Sequence, residues 1–446
     1  MSRVTPRLLK GFRDYLPSVE LARQTMLDTV RNVFESFGFG PLATPAIEYS
    51  EILLGKYGAE GEKLLYRFED NGGRDVALRY DLTVPLARVV GQYQDIPRPF
   101  RRYQIAPVWR AEKPARGRFR EFMQCDVDIV GEPTMRADVE VMVVGLSLLR
   151  ALGIPACVMR VNNRKILDGL LDTVGIAETS RRHDVLRIVD KLPKIGRAGV
   201  DAELVREVGL GEAAITQLFA VLEREVRTVE DIAALGPIIG HTEAGAAGIS
   251  ELSELVQTLT DAGFAEGFEV DLSIARGLDY YTATIYETFL VGHEEYGSVM
   301  SGGRYDTLIG TFSKTMVPAV GISLGVDRLV SALLELGLMA ERPTPAHVFI
   351  ALFDQADYAP NMLLAARLRE FGVKSELSLK PAKLGKQFKL AERKGHRFVL
   401  LAGADEHARG EVQAKDLSTG EQRTLALSDM AEWGPEFALN AIGNKD

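Results

Sequence analysis

The spacing of apolar residues predicts that the chain begins with an amphipathic helix followed by an extended segment. In residues 18–38 the apolar positions recur at helical spacing on one stripe, and Ser18 can cap the helix. Residues 41–49 (PLATPAIEY) contain two prolines, and each keeps the residue before it out of the α region. The helix and this strand could form a core unit; because prolines belong at sheet edges, the strand could also lie at a subunit interface.

The middle of the chain changes character twice, which predicts a helical insertion within a sheet-containing domain. Short strands are expected at 64–69 and 75–80. Residues 167–260 then have a helical pattern, are rich in Ala and Glu, and contain few motifs. Strand-like sequence resumes at 268–290, and residues 319–336 are typical of a strand followed by an amphipathic helix.

A linker with two prolines, residues 336–345, precedes a second alternation of strands and helices. This last segment has about 100 residues, which is a normal domain size. We therefore predict an α+β domain at 1–335, with an inserted helical domain at about 167–260, and a smaller α/β domain at 346–446.

The composition is typical of a globular protein from a reducing compartment. Of the 446 residues, 46% are hydrophobic and 26% are charged, and the formal net charge is −9. The two cysteines and six histidines show no zinc-binding spacing, so no metal site is predicted. No apolar run reaches the roughly 18–20 residues of a membrane span, and the N-terminus does not resemble a secretory signal. We expect a cytoplasmic protein that does not associate with membranes.

Residues 98–120 are strongly basic although the whole chain is acidic. They contain eight basic residues and one acid, Glu112. The basic residues alternate with apolar ones around EKPARG, whose proline and glycine suit a turn, so we predict a β-hairpin; a solvated surface loop is the alternative. Guanidinium, aromatic, amide and carboxylate groups in sequence along one arm suit a nucleotide beside a small polar ligand. The side chains that share this face are Arg118, Arg120, Phe122, Gln124, Asp126 and Asp128.

A second basic segment lies in the C-terminal domain. The predicted helix at 382–395 is apolar on one face and basic on the other. A solvated helix face would have the same charge, but two separate cationic patches in an acidic protein favour one extended polyanion that touches both. The basic face consists of Lys383, Lys386, Lys389 and Arg393.

Three other segments have both a structural and a functional interpretation. Asp81 and Thr83 stand where a strand ends and a helix begins, so Asp81 is either a helix cap or a ligand. Arg276 precedes a glycine and belongs either to a surface turn or to a binding site. Arg328 falls in the first turn of a helix, where a cation opposes the macrodipole, so a role in binding an anion fits better.

Five motifs, in order along the chain, resemble those of histidyl-tRNA synthetases, a family of class II aminoacyl-tRNA synthetases. FGFGPLATPAIEY, RYQIAPVWRAEKPARGRFREFMQCDVDIVG and AVGISLGVDRL are similar to motifs 1, 2 and 3 of the class, and RGLDYYT and SGGRYD to two histidine-specific signatures. The resemblance implies an α+β catalytic domain on an antiparallel sheet with flanking helices, a helical insertion, and a C-terminal α/β anticodon-binding domain. It also implies a homodimer that makes histidyl-adenylate from L-histidine and ATP and then transfers histidine to tRNA(His).

The resemblance also implies roles for individual residues. Arg110 matches the motif 2 arginine at the α-phosphate, and Arg276 matches a histidine-specific arginine that does the work of a metal ion in related enzymes. The other ATP-binding positions are Glu112 near the adenine, Phe122 stacked on it, and Arg118 and Arg328 at the γ-phosphate. The histidine-binding positions are Asp81, Thr83 and Gln124 around the amino group and Asp128, Tyr280 and Tyr281 around the imidazole. ATP would bring Mg²⁺ bound mostly through its phosphates, and tRNA would contact Lys113, Arg116, Lys383, Lys386, Lys389 and Arg393.

Two other functions fit parts of the same pattern. A regulatory paralogue that binds histidine and controls a phosphoribosyltransferase typically lacks the C-terminal domain and the ATP-binding arginines, all of which this chain has. A non-catalytic tRNA-binding protein would not need Asp81, Gln124 and Asp128 together. The segment RYDLT replaces the RPEGT of many bacterial members, so Asp81 stands in place of a glutamate and keeps its charge.

Overall fold

The computed structural model describes residues 4–154, 156–275, 280–341 and 343–439, and the chain forms two compact units. The first unit consists of the described residues up to Arg13 together with Met26–Leu338. The second consists of Asp14–Thr25 together with the described residues from Met339 onward. Arg276, which the sequence assigns to catalysis, lies outside the described residues.

The first unit is built on a large mixed sheet. Its strands are β1 (Gly40–Pro41), β5 (Phe100–Trp109), β6 (Glu121–Val130), β7 (Cys157–Asn163), β8 (Phe268–Val270), β9 (Thr284–Leu290), β10 (Met300–Arg304) and β11 (Ala319–Gly325). Within the described residues their order is β1-β5-β6-β11-β10-β9-β7-β8. The interior pairs are antiparallel, as predicted. The two edge pairs, β1 with β5 and β7 with β8, are parallel, so the sheet expected to be antiparallel is mixed.

The segment 41–49 forms two short strands in different sheets. β1 ends at Pro41 on the edge of the large sheet. β2 (Ile47–Tyr49) pairs with β4 (Asp75–Leu78), which also pairs with β3 (Arg67–Glu69). Proline lacks the N–H that a strand ladder requires, which accounts for the break between the two pairings.

Helices flank the large sheet and fill the long connection between β7 and β8. Flanking helices bury apolar faces; in α4 (Thr83–Gln92), for example, Val84, Leu86 and Val90 are buried. In the first unit the flanking helices are α2 (Ser50–Leu53), α3 (Gly58–Glu62), α4 (Thr83–Gln92), α5 (Met135–Ala151) and α13 (Val326–Glu335), while α1 (Pro17–Ser36) contributes residues to both units. The connection between β7 and β8 contains α6 (Arg164–Thr173), α7 (Thr179–Val189), α8 (Leu192–Glu203), α9 (Glu212–Leu222), α10 (Val229–Ala233), α11 (Gly236–Ile239) and α12 (Glu243–Asp261).

The predicted basic hairpin is present and lies inside the large sheet. Its arms β5 and β6 pair from Phe100 with Val130 to Trp109 with Glu121. In the turn Gly117 has a φ of 66°, a left-handed conformation that glycine adopts readily. The other edge of β6 pairs with β11, so residues 124–130 of β6 are hydrogen-bonded to strands on both sides.

The second unit has the predicted α/β pattern. Its sheet order within the described residues is β13 (Ser375–Leu377), β12 (Val348–Ile350), β14 (Phe398–Leu401), β15 (Glu411–Asp416) and β16 (Gln422–Ala426). β12 is parallel to β13 and β14, and the other pairs are antiparallel. Val348, Leu364, Phe398 and Trp433 belong to its buried core. The elements are β12 (Val348–Ile350), α14 (Tyr358–Glu370), β13 (Ser375–Leu377), α15 (Leu384–Lys394), β14 (Phe398–Leu401), α16 (Ala404–Arg409), β15 (Glu411–Asp416), β16 (Gln422–Ala426) and α17 (Met430–Leu439). Among the helices that the structure describes, none combines the length and apolar character needed to cross a membrane.

Candidate active site

Two pockets adjoin over the large sheet. The empty space in and at the mouth of the arginine pocket is about 630 Å³, and that of the tyrosine pocket is about 870 Å³. Arg110 and Ser301 line both pockets, so the two are neighbours. The arginine pocket is also lined by Glu112, Gly117, Arg118, Phe119, Phe122, Gln124, Ser298, Val299, Ser323, Gly325 and Arg328. The tyrosine pocket is also lined by Tyr57, Tyr80, Asp81, Ile274, Tyr280, Tyr281, Ile285, Tyr286, Glu287 and Gly302.

The arginine pocket brings together three arginines from distant parts of the sequence. Arg110 follows β5, Arg118 precedes β6, and Arg328 lies in the first turn of α13. The Arg110 guanidinium carbon is 5.1 Å from the centre of the Phe122 ring, so charge and aromatic surface lie side by side. Arg118 Nη1 lies 3.5 Å from a carboxylate oxygen of Glu112. Guanidinium groups suit phosphate oxygens, and an aromatic face suits a base.

Arg328 is positioned by the junction of β11 and α13. Gly325 ends β11, and Arg328 is the third residue of the helix that follows. The Arg328 guanidinium donates a hydrogen bond to the backbone carbonyl of Ser298. Its neighbour Asp327 is buried and accepts the backbone N–H of Met123 in β6, which ties the helix to the sheet.

In the tyrosine pocket, Asp81 is both a helix cap and a buried acceptor. Its carboxylate accepts the backbone N–H of Val84, 3.0 Å away, in the first turn of α4. It also accepts the hydroxyl of Tyr57 at 3.1 Å. Burial raises the pKa of Asp81, whereas the Val84 N–H and the positive charge of Arg110 oppose that rise. The bond to Val84 supports the capping interpretation, whereas the role of Asp81 in binding a ligand stays a prediction.

Tyr280 and Tyr281 form one wall of the tyrosine pocket. Their ring centres are 4.8 Å apart in an edge-on arrangement. Burial raises the pKa of both phenols, so both hydroxyls keep their protons at neutral pH and can donate hydrogen bonds. Thr83 is the first residue of α4, and neither set of described lining residues includes it.

Asp128 is near enough to Tyr281, a lining residue of the tyrosine pocket, for its charge to raise the pKa of the Tyr281 phenol. Its carboxylate is 2.7 Å from Nη2 of Arg102 and accepts the hydroxyl of Tyr305. A side chain on Gly321, opposite Asp128 on β11, would place a Cβ 2.0 Å from Asp128 Oδ1, so this contact requires glycine. The described lining residues of the tyrosine pocket do not include Asp128. Arg102, part of the basic segment in the sequence, has a wholly buried side chain.

Three acids and one arginine form a buried cluster under the site. Burial raises the pKa of Asp126 and of Asp128, and the charge of Arg102 opposes the rise in both. The charge of Asp81 raises the pKa of Asp126, and the charge of Arg102 lowers the pKa of Asp81. Gln124 lines the arginine pocket and donates a 2.7 Å hydrogen bond to Ser323 Oγ. The cluster has a net negative charge whenever two of its three acids are ionised.

The predicted tRNA-binding residues lie outside both pockets. Lys113 is exposed in the β5–β6 turn. Arg116, in the same turn, is held by Glu335 Oε2 and by the Tyr296 hydroxyl, each 2.7 Å away. The basic residues of the C-terminal domain are exposed, and none lies within 4.0 Å of a carboxylate in the part of the chain that the structure describes: Lys383, Lys386, Lys389 and Arg393.

Sequence reasoning missed several lining residues. Ser301 directly precedes the paired glycines of SGGRYD, so its position was a usable signal. Glu287 is the one charged residue in β9 (TIYETFL), and a buried acid in an apolar strand usually has a partner or a function. Tyr57 precedes the short helix α3 and carries no sequence signal. Among the described residues, no cluster of three or more His, Cys, Asp or Glu side chains is arranged to hold a metal ion.

Comparison with known proteins gives matches over both units. The family model described as "Histidyl-tRNA synthetase" matches residues 11–329, and the one described as "Anticodon binding domain" matches 348–435. A histidine–tRNA ligase of Rhodopirellula baltica is 44% identical over 441 residues, covering 98% of this chain and 99% of that protein. One of Wolinella succinogenes is 43% identical over 424 residues, covering 94% and 96%.

Solved structures resemble the whole fold. The histidyl-tRNA synthetase of Nostoc sp. PCC 7120 superposes with a TM-score of 0.87 at 35% identity, over 97% of this chain and all of that one. A Bacillus halodurans protein described as an ATP phosphoribosyltransferase regulatory subunit/histidyl-tRNA synthetase gives a TM-score of 0.75 at 23% identity, over 90% of this chain and all of that one. This second likeness is one of fold alone.

Proposed function

The chain belongs to the histidyl-tRNA synthetase family, and from that premise we propose how its two pockets join histidine to tRNA. The protein is an aminoacyl-tRNA synthetase, a histidine–tRNA ligase. One observation most directly supports the binding of two substrates in two neighbouring pockets: the arginine pocket and the tyrosine pocket share Arg110 and Ser301. Substrates held in the two pockets would therefore meet beside Arg110.

ATP occupies the arginine pocket in this proposal. Phe122 stacks on the adenine, Glu112 lies near it, and Arg118 and Arg328 hold the γ-phosphate. Arg110 faces the α-phosphate at the junction of the pockets. Magnesium would enter with ATP, since Mg²⁺ keeps most of its waters and binds mainly through phosphate oxygens.

Histidine occupies the tyrosine pocket. Asp81 receives the ammonium group of histidine, and the carboxylate of histidine turns toward Arg110. The family motif assigns Thr83 and Gln124 to the same ammonium group, and of these two Gln124 lines the neighbouring arginine pocket. The imidazole lies against Tyr280 and Tyr281, whose hydroxyls can donate hydrogen bonds. Asp128, whose charge acts on Tyr281, supplies a hydrogen-bond acceptor for an imidazole N–H. A site built on such bonds rejects amino acids that lack the imidazole nitrogens, because its buried polar groups would then stay unpaired.

Adenylate formation follows from this arrangement. A carboxylate oxygen of histidine attacks the α-phosphorus in line, a new P–O bond forms, and pyrophosphate leaves with the electrons of the broken bond. Negative charge on the phosphoryl oxygens grows in the transition state, so arginines fixed in advance stabilise it. Arg110 supplies one such charge, and Arg276, which the family motif assigns to the same step, supplies another.

The remaining assignments concern the whole protein. Residues 1–335 would form the catalytic domain, with an insertion at about 167–260, and residues 346–446 would bind the anticodon of tRNA(His). The exposed basic face of α15 supports that role, because phosphate contacts supply much of the affinity for nucleic acid. We also propose a homodimer and a cytoplasmic location, in keeping with the family.

The regulatory-paralogue alternative is not favoured. Three arginines at positions that the family motifs assign to ATP binding line one pocket, and the family model of the anticodon-binding domain matches residues 348–435. A protein that only senses histidine would need neither feature.

Histidine-dependent ATP–pyrophosphate exchange, measured with each of the twenty amino acids, tests the proposed function. We expect exchange with histidine alone. Arg276→Ala should abolish that exchange while the protein stays folded, as judged by circular dichroism. Exchange with a different amino acid would refute the assignment of the tyrosine pocket, and near-normal exchange in the variant would remove Arg276 from the mechanism.

A further inference from the structure

A short N-terminal segment lies across the β5–β6 turn. We call residues 10–13 the strap and residues 110–120 the turn. The carbonyl of Gly11 accepts the backbone N–H of Arg120 at 2.8 Å, and the carbonyl of Lys10 accepts Arg120 Nη1 at 3.3 Å. Gly11 has a φ of 87°, and a Cβ there would lie 2.8 Å from Pro114 Cγ. The strap therefore packs on the turn too closely for any side chain at Gly11.

Arg13, the last residue of the strap, connects the turn to α13. Its guanidinium carbon is 3.9 Å from the centre of the Phe119 ring, which lines the arginine pocket. Its Nη2 lies 3.7 Å from Asp327 Oδ1, and its Nη1 donates to Ser331 Oγ at 3.4 Å. Arg13 thus contacts a ring of the turn and two polar groups of the helix.

The residues that Arg13 contacts are chain neighbours of the phosphate-binding arginines. Phe119 follows Arg118, and Asp327 precedes Arg328. Asp327 is buried, and its second carboxylate oxygen accepts the Met123 N–H of β6. Arg13 itself is not among the described residues that line the arginine pocket.

We propose that Arg13 is a positioning residue for ATP: it holds the turn against α13 so that Arg118 and Arg328 face the same triphosphate. The proposal rests on the proposed function, because it takes the arginine pocket as the ATP site. The Arg118 side chain is 49% exposed and stands on a turn of irregular structure, so it would lose conformational freedom when ATP binds. Contacts that order the turn beforehand reduce that loss and so strengthen binding.

The two pockets make the expected effect selective. The tyrosine pocket shares only Arg110 and Ser301 with the arginine pocket among their described lining residues, whereas Arg13 contacts Phe119, Asp327 and Ser331 on the side of the arginine pocket. Loss of Arg13 should therefore weaken ATP binding and leave histidine binding nearly unchanged. A residue that only stabilised the fold would affect both substrates together or neither.

Steady-state ATP–pyrophosphate exchange tests this selectivity. We expect Arg13→Ala to raise KM for ATP about tenfold, with KM for histidine within about twofold of normal. This rise lies between the values for an exposed and a desolvated cation–π contact, because the Arg13 side chain is 29% exposed. Arg7→Ala is the matched control: Arg7 is exposed in the same N-terminal segment, the charge change is identical, and both KM values should stay normal. If Arg13→Ala does not fold, Arg13→Lys carries the test, because lysine keeps the charge near Asp327 but lacks the planar group over Phe119. Its KM for ATP should rise about threefold.

A double-mutant cycle with Phe119→Leu separates a direct contact from a general effect. If Arg13 acts through the ring, the double variant should raise KM for ATP little more than Phe119→Leu alone. An unchanged KM for ATP in a folded Arg13 variant, equal rises for ATP and histidine, or additive effects of the two substitutions would overturn the proposal. Absence of exchange in the unaltered protein would instead refute the proposed function, so the two failures are distinguishable.

Discussion

Asp128→Asn tests whether one buried carboxylate neutralises Arg102 beneath the active site. The Arg102 side chain is 0% exposed, and its Nη2 lies 2.7 Å from Asp128 Oδ2. Asparagine keeps the shape of the side chain but leaves the guanidinium without that negative charge. Removal of one partner of a buried ion pair costs about 3–5 kcal/mol. We expect the free energy of unfolding to fall by an amount in this range.

Asp126 should keep the loss near the lower limit because it can replace part of the missing charge. Burial raises the pKa of Asp126, Arg102 lowers it, and Asp128 raises it further. In Asp128→Asn the repulsion from Asp128 is absent, so Asp126 ionises more readily beside Arg102. We expect a loss of about 3 kcal/mol for Asp128→Asn and a smaller loss for Asp126→Asn. The double variant should lose more than the sum of the two by about 1–3 kcal/mol.

Urea unfolding at neutral pH measures these four free energies. Fluorescence of Trp109 in a Trp433→Phe background reports the first unit alone, since the chain has two tryptophans and Trp433 belongs to the second unit. Exchange kinetics supply an independent readout: Asp128→Asn should raise KM for histidine about tenfold and leave KM for ATP unchanged. Additive losses of stability, or a loss below about 1 kcal/mol for Asp128→Asn, would refute the assigned ion pair.

Two further predictions concern pH and tRNA. Asp126→Asn should flatten the pH dependence of stability: the folded-state pKa of Asp126 is raised, so its contribution is present at low pH and is lost as pH rises through that pKa. Urea unfolding at several pH values checks this, and a variant as pH-sensitive as its parent would contradict it. Lys386→Glu/Lys389→Glu should raise KM for tRNA about tenfold and weaken its salt dependence, with normal pyrophosphate exchange, whereas the exposed control Lys374→Glu should change neither; charging kinetics at two salt concentrations decide.

Local patterns in the sequence were sufficient for the main elements of the fold. The β5–β6 hairpin followed from alternation around a Pro/Gly turn, and α13 followed from a glycine break before an amphipathic stripe. These patterns depend only on residues close together in the sequence, so they can be interpreted without knowing how the rest of the chain packs. The order of strands and the parallel edges did not follow, because pairing between distant segments depends on how they pack.

The candidate site divides in the same way. The sequence could name residue types suited to phosphate, base and imidazole, and motif similarity could assign them roles. It could not show that Arg110 and Ser301 join two pockets, that Arg116 is engaged by Glu335, or that the strap reaches Phe119.

Arg102 and Arg110 illustrate what only the tertiary structure decided. Both are arginines of one hairpin, separated by an even number of residues and so on the same face of it. Arg110 lines both pockets, whereas Arg102 is covered completely and pairs with Asp128. The sequence by itself determined that this hairpin is basic and amphipathic. Which of its charges meets a ligand and which one is buried against an acid was decided by the segments that pack over it, because burial and electrostatic pairing depend on neighbours that are distant along the chain.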